Sequence, residues 1–124
     1  MNDLLFWSYL TNAVLLISHE IDSAYWKEWI LFRLRGGITR FLLLHIPLLF
    51  FVLYGLVLIV KQSYFGYTFS LILCLGGIFA FTIHAYFLRK GREEFNTPVS
   101  KLILILILLV SIFQLVITLL NMKG

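Results

Sequence analysis

Residues able to do chemistry sit where a strongly apolar chain seldom carries them. His19, Glu20 and Asp22 close the apolar run Leu4–Ile17, and lone histidines, His45 and His84, fall in the next two hydrophobic segments. An ionisable group at membrane depth costs at least ~2.5–3.5 kcal/mol and usually faces a bundle interior or a cavity. His19 and Asp22 are three positions apart, which places them on one helix face. Ser8, Asn12 and Ser23 lie within about 40° of His19 on a wheel of ~100° per residue. The bland alternative is a wetted helix end. It suits Lys27 and Glu28 and suits His19 less well.

Three imidazoles with an open position form a catalytic zinc set, and a neighbouring carboxylate serves as base or orients a ligand. The expected ligands are therefore His19, His45, His84 and Asp22, holding zinc or another divalent transition metal. Asp22 and Glu20 are the candidate catalytic acids. Glu20 is turned ~100° from His19 on the wheel, toward a neighbouring residue or water. A bound metal would lower the pKa of its water and permit hydrolysis at the lipid–water boundary. The substrate would be a lipid ester or amide, or a polar small molecule entering from the cytoplasm.

The stretch H-E-I-D-S-A-Y-W-K-E-W, beginning at His19 and followed by one histidine in each of the next two apolar segments, resembles a family of small, uncharacterised prokaryotic four-helix membrane proteins. The resemblance covers the whole chain. It implies a fold and carries no assigned activity.

Composition points the same way. The 124 residues are 61% hydrophobic and only 13% charged, against ~25% charged in soluble domains. Four runs, at about 4–26, 41–60, 69–88 and 102–120, each approach the ~20 residues that span ~30 Å of hydrocarbon. The expected fold is all-α: one integral membrane four-helix bundle forming a single domain. Continuous apolar runs exclude a β-barrel. Cys74 is the one cysteine, so no intrachain disulfide forms and the redox compartment is not legible. The first run lacks a preceding basic residue and a small-x-small cleavage site, so it is expected to be retained.

Lys27, Arg33, Arg35 and Arg40 fill the first loop, and Arg89, Lys90, Arg92 and Lys101 the third. The second loop and the C-terminus offer only Lys61 and Lys123. The positive-inside rule then puts loops one and three in the cytoplasm and both termini on the non-cytoplasmic side of the cell membrane. The basic residues flank apolar runs, so the positive charge is topological and no nucleic-acid partner is expected. Phe6, Trp7 and Tyr9 mark the outer interface, as do Tyr64, Phe65 and Tyr67, while Tyr25, Trp26, Trp29 and Tyr86 mark the inner one. Residues 26–35 alternate apolar and charged, as an interfacial helix would, and Gly36-Gly37 ends it. Thr97 and Pro98 are a natural N-cap and first helical residue. Glu93 and Glu94 read as solvated.

Counted from the basic boundaries Lys27, Arg40 and Arg89, residues Asp22, His45 and His84 each lie five positions inside, roughly 7–8 Å deep, and His19 lies roughly 12 Å deep. Facing helices of a bundle can bring such side chains to one centre. His84 shares a stripe with Gly77, Cys74 and Ser70, where helices approach closely or leave room for a ligand. Pro47 removes an amide and frees the Leu43 carbonyl near His45. Asn12 and Gln114, both roughly 20 Å deep, are expected to hydrogen-bond between the first and last spans, with ligand binding as the alternative.

Two rival classes remain. Histidine–carboxylate chains serve proton or cation transport, though four helices leave little pore and would need a homo-oligomer. A ligand-binding or structural subunit, including one with bis-histidine haem ligation by His45 and His84, ranks lower, because the acids beside His19 suit a hard cation better than a porphyrin.

Overall fold

The computed structural model describes residues 3–124. They form four long helices and one short turn of helix: α1 (Asp3–Tyr25), α2 (Glu28–Leu31), α3 (Gly37–Val60), α4 (Phe65–Arg89) and α5 (Pro98–Lys123). Among the described residues there is no strand. The long helices α1, α3, α4 and α5 are each long and apolar enough to cross a membrane, which marks a multi-pass membrane protein.

Chain-breaking residues, rather than hydropathy, set the helix ends. Gly36 at φ 102° precedes α3. Gln62 at φ 56° turns the chain between α3 and α4. Thr97 caps α5, its Oγ1 accepting from the Ser100 amide at 3.1 Å, with Pro98 in the first turn. The last three helices thus start about a turn before the apolar runs do. The segment after α1 also differs from a continuous interfacial helix over 26–35. Lys27 adopts a left-handed conformation, φ 53°, and Arg33 another, φ 56°. Between them only α2 is helical, and it folds back so that Leu31 packs with Phe95 and Leu104.

Sequence-adjacent long helices run antiparallel, and so do α1 and α5. Tyr9 Oη donates to the Val52 carbonyl at 2.6 Å across α1 and α3. Phe51 stacks on Phe69 across α3 and α4, centroids 4.2 Å apart. Ser70 bonds Thr118 across α4 and α5 at 2.7 Å. Asn12 bonds Gln114 across α1 and α5 at 2.7 Å. The helices therefore form a ring in the order α1, α3, α4, α5. The parallel pair α1 and α4 touch across the middle, whereas α3 makes no close approach to α5. Close packing of α4 on α5 depends on Gly77, since a Cβ there would overlap Ser111 Oγ; small residues allow such approach between membrane helices.

A fully buried polar ladder links α1, α4 and α5. Asn12 Nδ2 donates to Gln114 Oε1 and to Ser111 Oγ, and Gln114 Nε2 donates to Ser70 Oγ at 2.8 Å and to the Ser70 carbonyl at 3.2 Å. Asn12 and Gln114, expected as interhelical partners, bond each other directly. Polar bonds of this kind average ~0.6 kcal/mol and reach ~1.7. Gln114→Leu removes three of them at similar volume and should cost about 1–2 kcal/mol, read as a lowered unfolding midpoint in detergent. An unchanged midpoint would show that the ladder adds nothing to stability.

Candidate metal centre

His19 lies on the face of α1 that meets α4, and His84 on the face of α4 that meets α1. Their rings pack edge to face, centroids 4.6 Å apart, and each residue is 2% exposed. The left-handed bend at Lys27 brings Glu28, the first residue of α2, under this pair. Glu28 Oε1 stands 4.0 Å from His84 Nε2. One ligand atom from each of His19, Glu28 and His84 can be chosen so that all lie within 4.8 Å of one another.

The protons are partly fixed by geometry. His84 Nδ1 lies 2.8 Å from the Ala80 carbonyl. A carbonyl only accepts, so Nδ1 carries the hydrogen and Nε2 of the neutral ring keeps its lone pair. A ligand imidazole anchored through its other nitrogen is the usual arrangement at metal sites. His84 Nε2, His19 Nδ1 and Glu28 Oε2 are all buried without a hydrogen-bond partner. Buried polar atoms are normally satisfied. These orphans belong to the three residues that can bring one ligand atom each within 4.8 Å of one another, an arrangement that fits an electron-pair acceptor held between them.

His45 stands apart from this group. It stacks on Phe41, centroids 3.9 Å apart, and its Nδ1 donates to the Phe41 carbonyl at 2.7 Å. Its Nε2 forms a close pair with Glu20 Oε2. Because Nδ1 already donates, the contact with Glu20 holds a single shared proton. The wheel explains the division. His19 and Glu20 differ by ~100° in direction, and the ring order gives α1 two neighbours at different angles, α4 and α3. Each side chain of α1 meets the histidine of the helix it faces. Asp22 is half-buried, with Oδ2 enclosed and unpartnered, and it lies outside the His19–Glu28–His84 group.

Glu20 and the His19–Glu28–His84 group open onto one cavity of about 310 Å³. His19, Glu20, Glu28 and His84 line its polar end, and Phe32 with apolar side chains of α1, α3 and α4 lines the remainder. Phe95 closes the histidine pair from the α4–α5 loop. It is 1% exposed, with its ring 4.3 Å from His84 and 5.3 Å from His19. Beside it, Arg92 Nη2 donates to Glu94 Oε1 at 2.7 Å and Nε to Oε2 at 3.1 Å. This double hydrogen bond holds the Glu94 carboxyl below its ordinary range and pins the loop.

Glu28 and Phe95 were not legible as site residues. On an unbroken helix Glu28 would point about 180° from His19, nine positions of ~100° away; only the bend at Lys27 reverses it. Phe95 sits in a loop between charged and polar neighbours, with no periodicity to mark it.

No curated protein and no solved structure matches this chain. Residues 5–121 match the family of unknown function DUF6713, and with nearly its whole length covered the chain belongs to that family.

Proposed function

We propose that the protein holds one divalent transition metal, zinc in the first instance, between His19, Glu28 and His84, and hydrolyses an ester or amide beside it. One observation carries the reading: three helices deliver two imidazoles and a carboxylate with one ligand atom each to within 4.8 Å, and each of the three side chains keeps one polar atom buried and unpartnered. Two histidines and a glutamate are a catalytic zinc set that leaves a position open for water or substrate. His19, Glu28 and His84 would hold the ion once their ligand atoms draw closer than the present 4.8 Å limit. The metal supplies a polarised carbonyl and a water acidic near neutral pH.

The chain's own residues complete the scheme. Glu20, on the cavity wall, accepts the proton of the attacking water as its oxygen bonds the acyl carbon. The same proton passes to the leaving oxygen or nitrogen as the acyl bond breaks. His45 holds the Glu20 carboxyl in place and balances its charge. Loops one and three, rich in Lys and Arg, face the cytoplasm by the positive-inside rule, so the polar end of the cavity lies near the cytoplasmic face of the cell membrane. A haem between His45 and His84 is disfavoured, because the two rings face different partners.

A second reading, proton transfer across the membrane, is favoured by the single proton shared between Glu20 and His45. Liposome proton flux abolished by Glu20→Gln, without any bound metal, would establish it. The test of the first reading is elemental analysis of the purified protein. Stoichiometric metal is expected, and Glu28→Gln, which keeps the side-chain shape, should strip it by well over the ~10–100-fold in affinity that loss of an outer partner costs. A wild-type protein without stoichiometric metal overturns the proposal.

A further inference from the structure

The cavity does not end at the polar groups. From His84 it follows one face of α4 back to Ile72, roughly 18 Å at ~1.5 Å per residue. Leu48 and Val52 of α3 form the opposite wall. Its rim is apolar and exposed: Leu48 is 44%, Ile72 50% and Phe79 66% accessible. Midway sits Gly76, where an added Cβ would meet nothing within 4 Å. The groove is therefore unobstructed at Gly76 and open toward the bilayer along the α3–α4 seam. At its closed end lie His84, with Nε2 buried and unpartnered, and the carboxylate of Glu28.

We infer that this groove seats the tail of a single-chain amphiphile, and that the substrate class is an acyl ester or amide with one hydrocarbon chain. The chain lies over Gly76 with its methyl end near Ile72 and Leu73, which puts the carbonyl at the other end beside His19 and His84. A groove roughly 18 Å long, running lengthwise between α3 and α4, follows an extended hydrocarbon chain better than a fused ring system. A polar group at only one end matches a molecule with one polar end. The inference rests on the metal reading for the chemistry at the headgroup, and on the groove alone for the tail.

The test uses a fatty acid whose extended chain matches the roughly 18 Å of groove and bears a diazirine at its methyl end, photolysed with the full chain in lipid nanodiscs, with bound metal measured on the same samples. Labelling is expected to concentrate at Ile72 and Leu73 over Leu109 and Phe113, which lie on α5. Gly76→Phe should lower labelling at Ile72 and Leu73 about tenfold or more, equivalent to ~1.4 kcal/mol, while metal content stays unchanged. Gly76→Ala, adding one methyl to open space, confirms that the fold tolerates substitution there. Labelling spread evenly over lipid-facing residues, or unaffected by Gly76→Phe, overturns the tail site even if metal is bound. Concentrated labelling on a metal-free protein supports the tail site and removes the hydrolase reading.

Discussion

His84→Ala should abolish stoichiometric metal binding, whereas His45→Ala should leave it intact. The two histidines look equivalent in sequence, one per span and equally far from a basic boundary. Structure separates them. His84 is packed against His19, fixed through Nδ1 on the Ala80 carbonyl, and presents an unpartnered Nε2 near Glu28. His45 spends both ring nitrogens on Phe41 and Glu20. Removing one of three protein ligands should cost more than the ~10–100-fold typical of an outer-shell partner. For His45→Ala the expected loss is in turnover, through a disordered Glu20, at unchanged metal content. Metal titration followed by elemental analysis checks both, and circular dichroism of each variant checks the fold. Equal loss of metal in the two variants would mean a three-histidine centre in place of the one described.

Phe95→Ala should be the most destabilising single change at the site. The ring is 1% exposed and packs on His19, His84 and Trp26. Truncating a buried phenylalanine to alanine costs ~3–5 kcal/mol. The backbone adds a second term. Phe95 has φ 65°, which non-glycine residues adopt at a cost and glycine adopts freely. Phe95→Gly should therefore recover up to about 1 kcal/mol relative to Phe95→Ala. Unfolding midpoints in detergent give the comparison. Both variants open the histidine pair to water and should release bound metal to a chelator faster. Wild-type stability in Phe95→Ala would mean the loop does not close the site.

The spans and their number were legible because each apolar run is long enough to cross hydrocarbon, and Thr97-Pro98 announced the start of α5. The pairing of Asn12 with Gln114 was legible too, since both had a computable depth on helices that had to meet. What could not be read was rotation. Depth counts from the basic boundaries brought His19, His45 and His84 to nearly one level, but level says nothing about which way a side chain points. Whether Glu20 or His19 met His45 depended on the ring order α1, α3, α4, α5, which no spacing in the chain encodes. Glu28 was hidden by a left-handed Lys27, a conformation that an Asn or Gly would have advertised and a lysine does not.

The absence of contact between α3 and α5 gives the four helices unequal standing. Asn12, Ser70, Ser111, Gln114 and Thr118 tie α1, α4 and α5 together in the interior, while α3 leans on that trio from one side. Its polar attachments to α1 are the Tyr9 hydroxyl on the Val52 carbonyl and the Glu20–His45 pair, about two turns apart around the middle of α3. A fixed tripod with a leaning fourth member can part along the α3–α4 seam and reclose without breaking a rung of the ladder, so a guest from the membrane would pass while His19, Glu28 and His84, the proposed ligands and none of them on α3, keep their places.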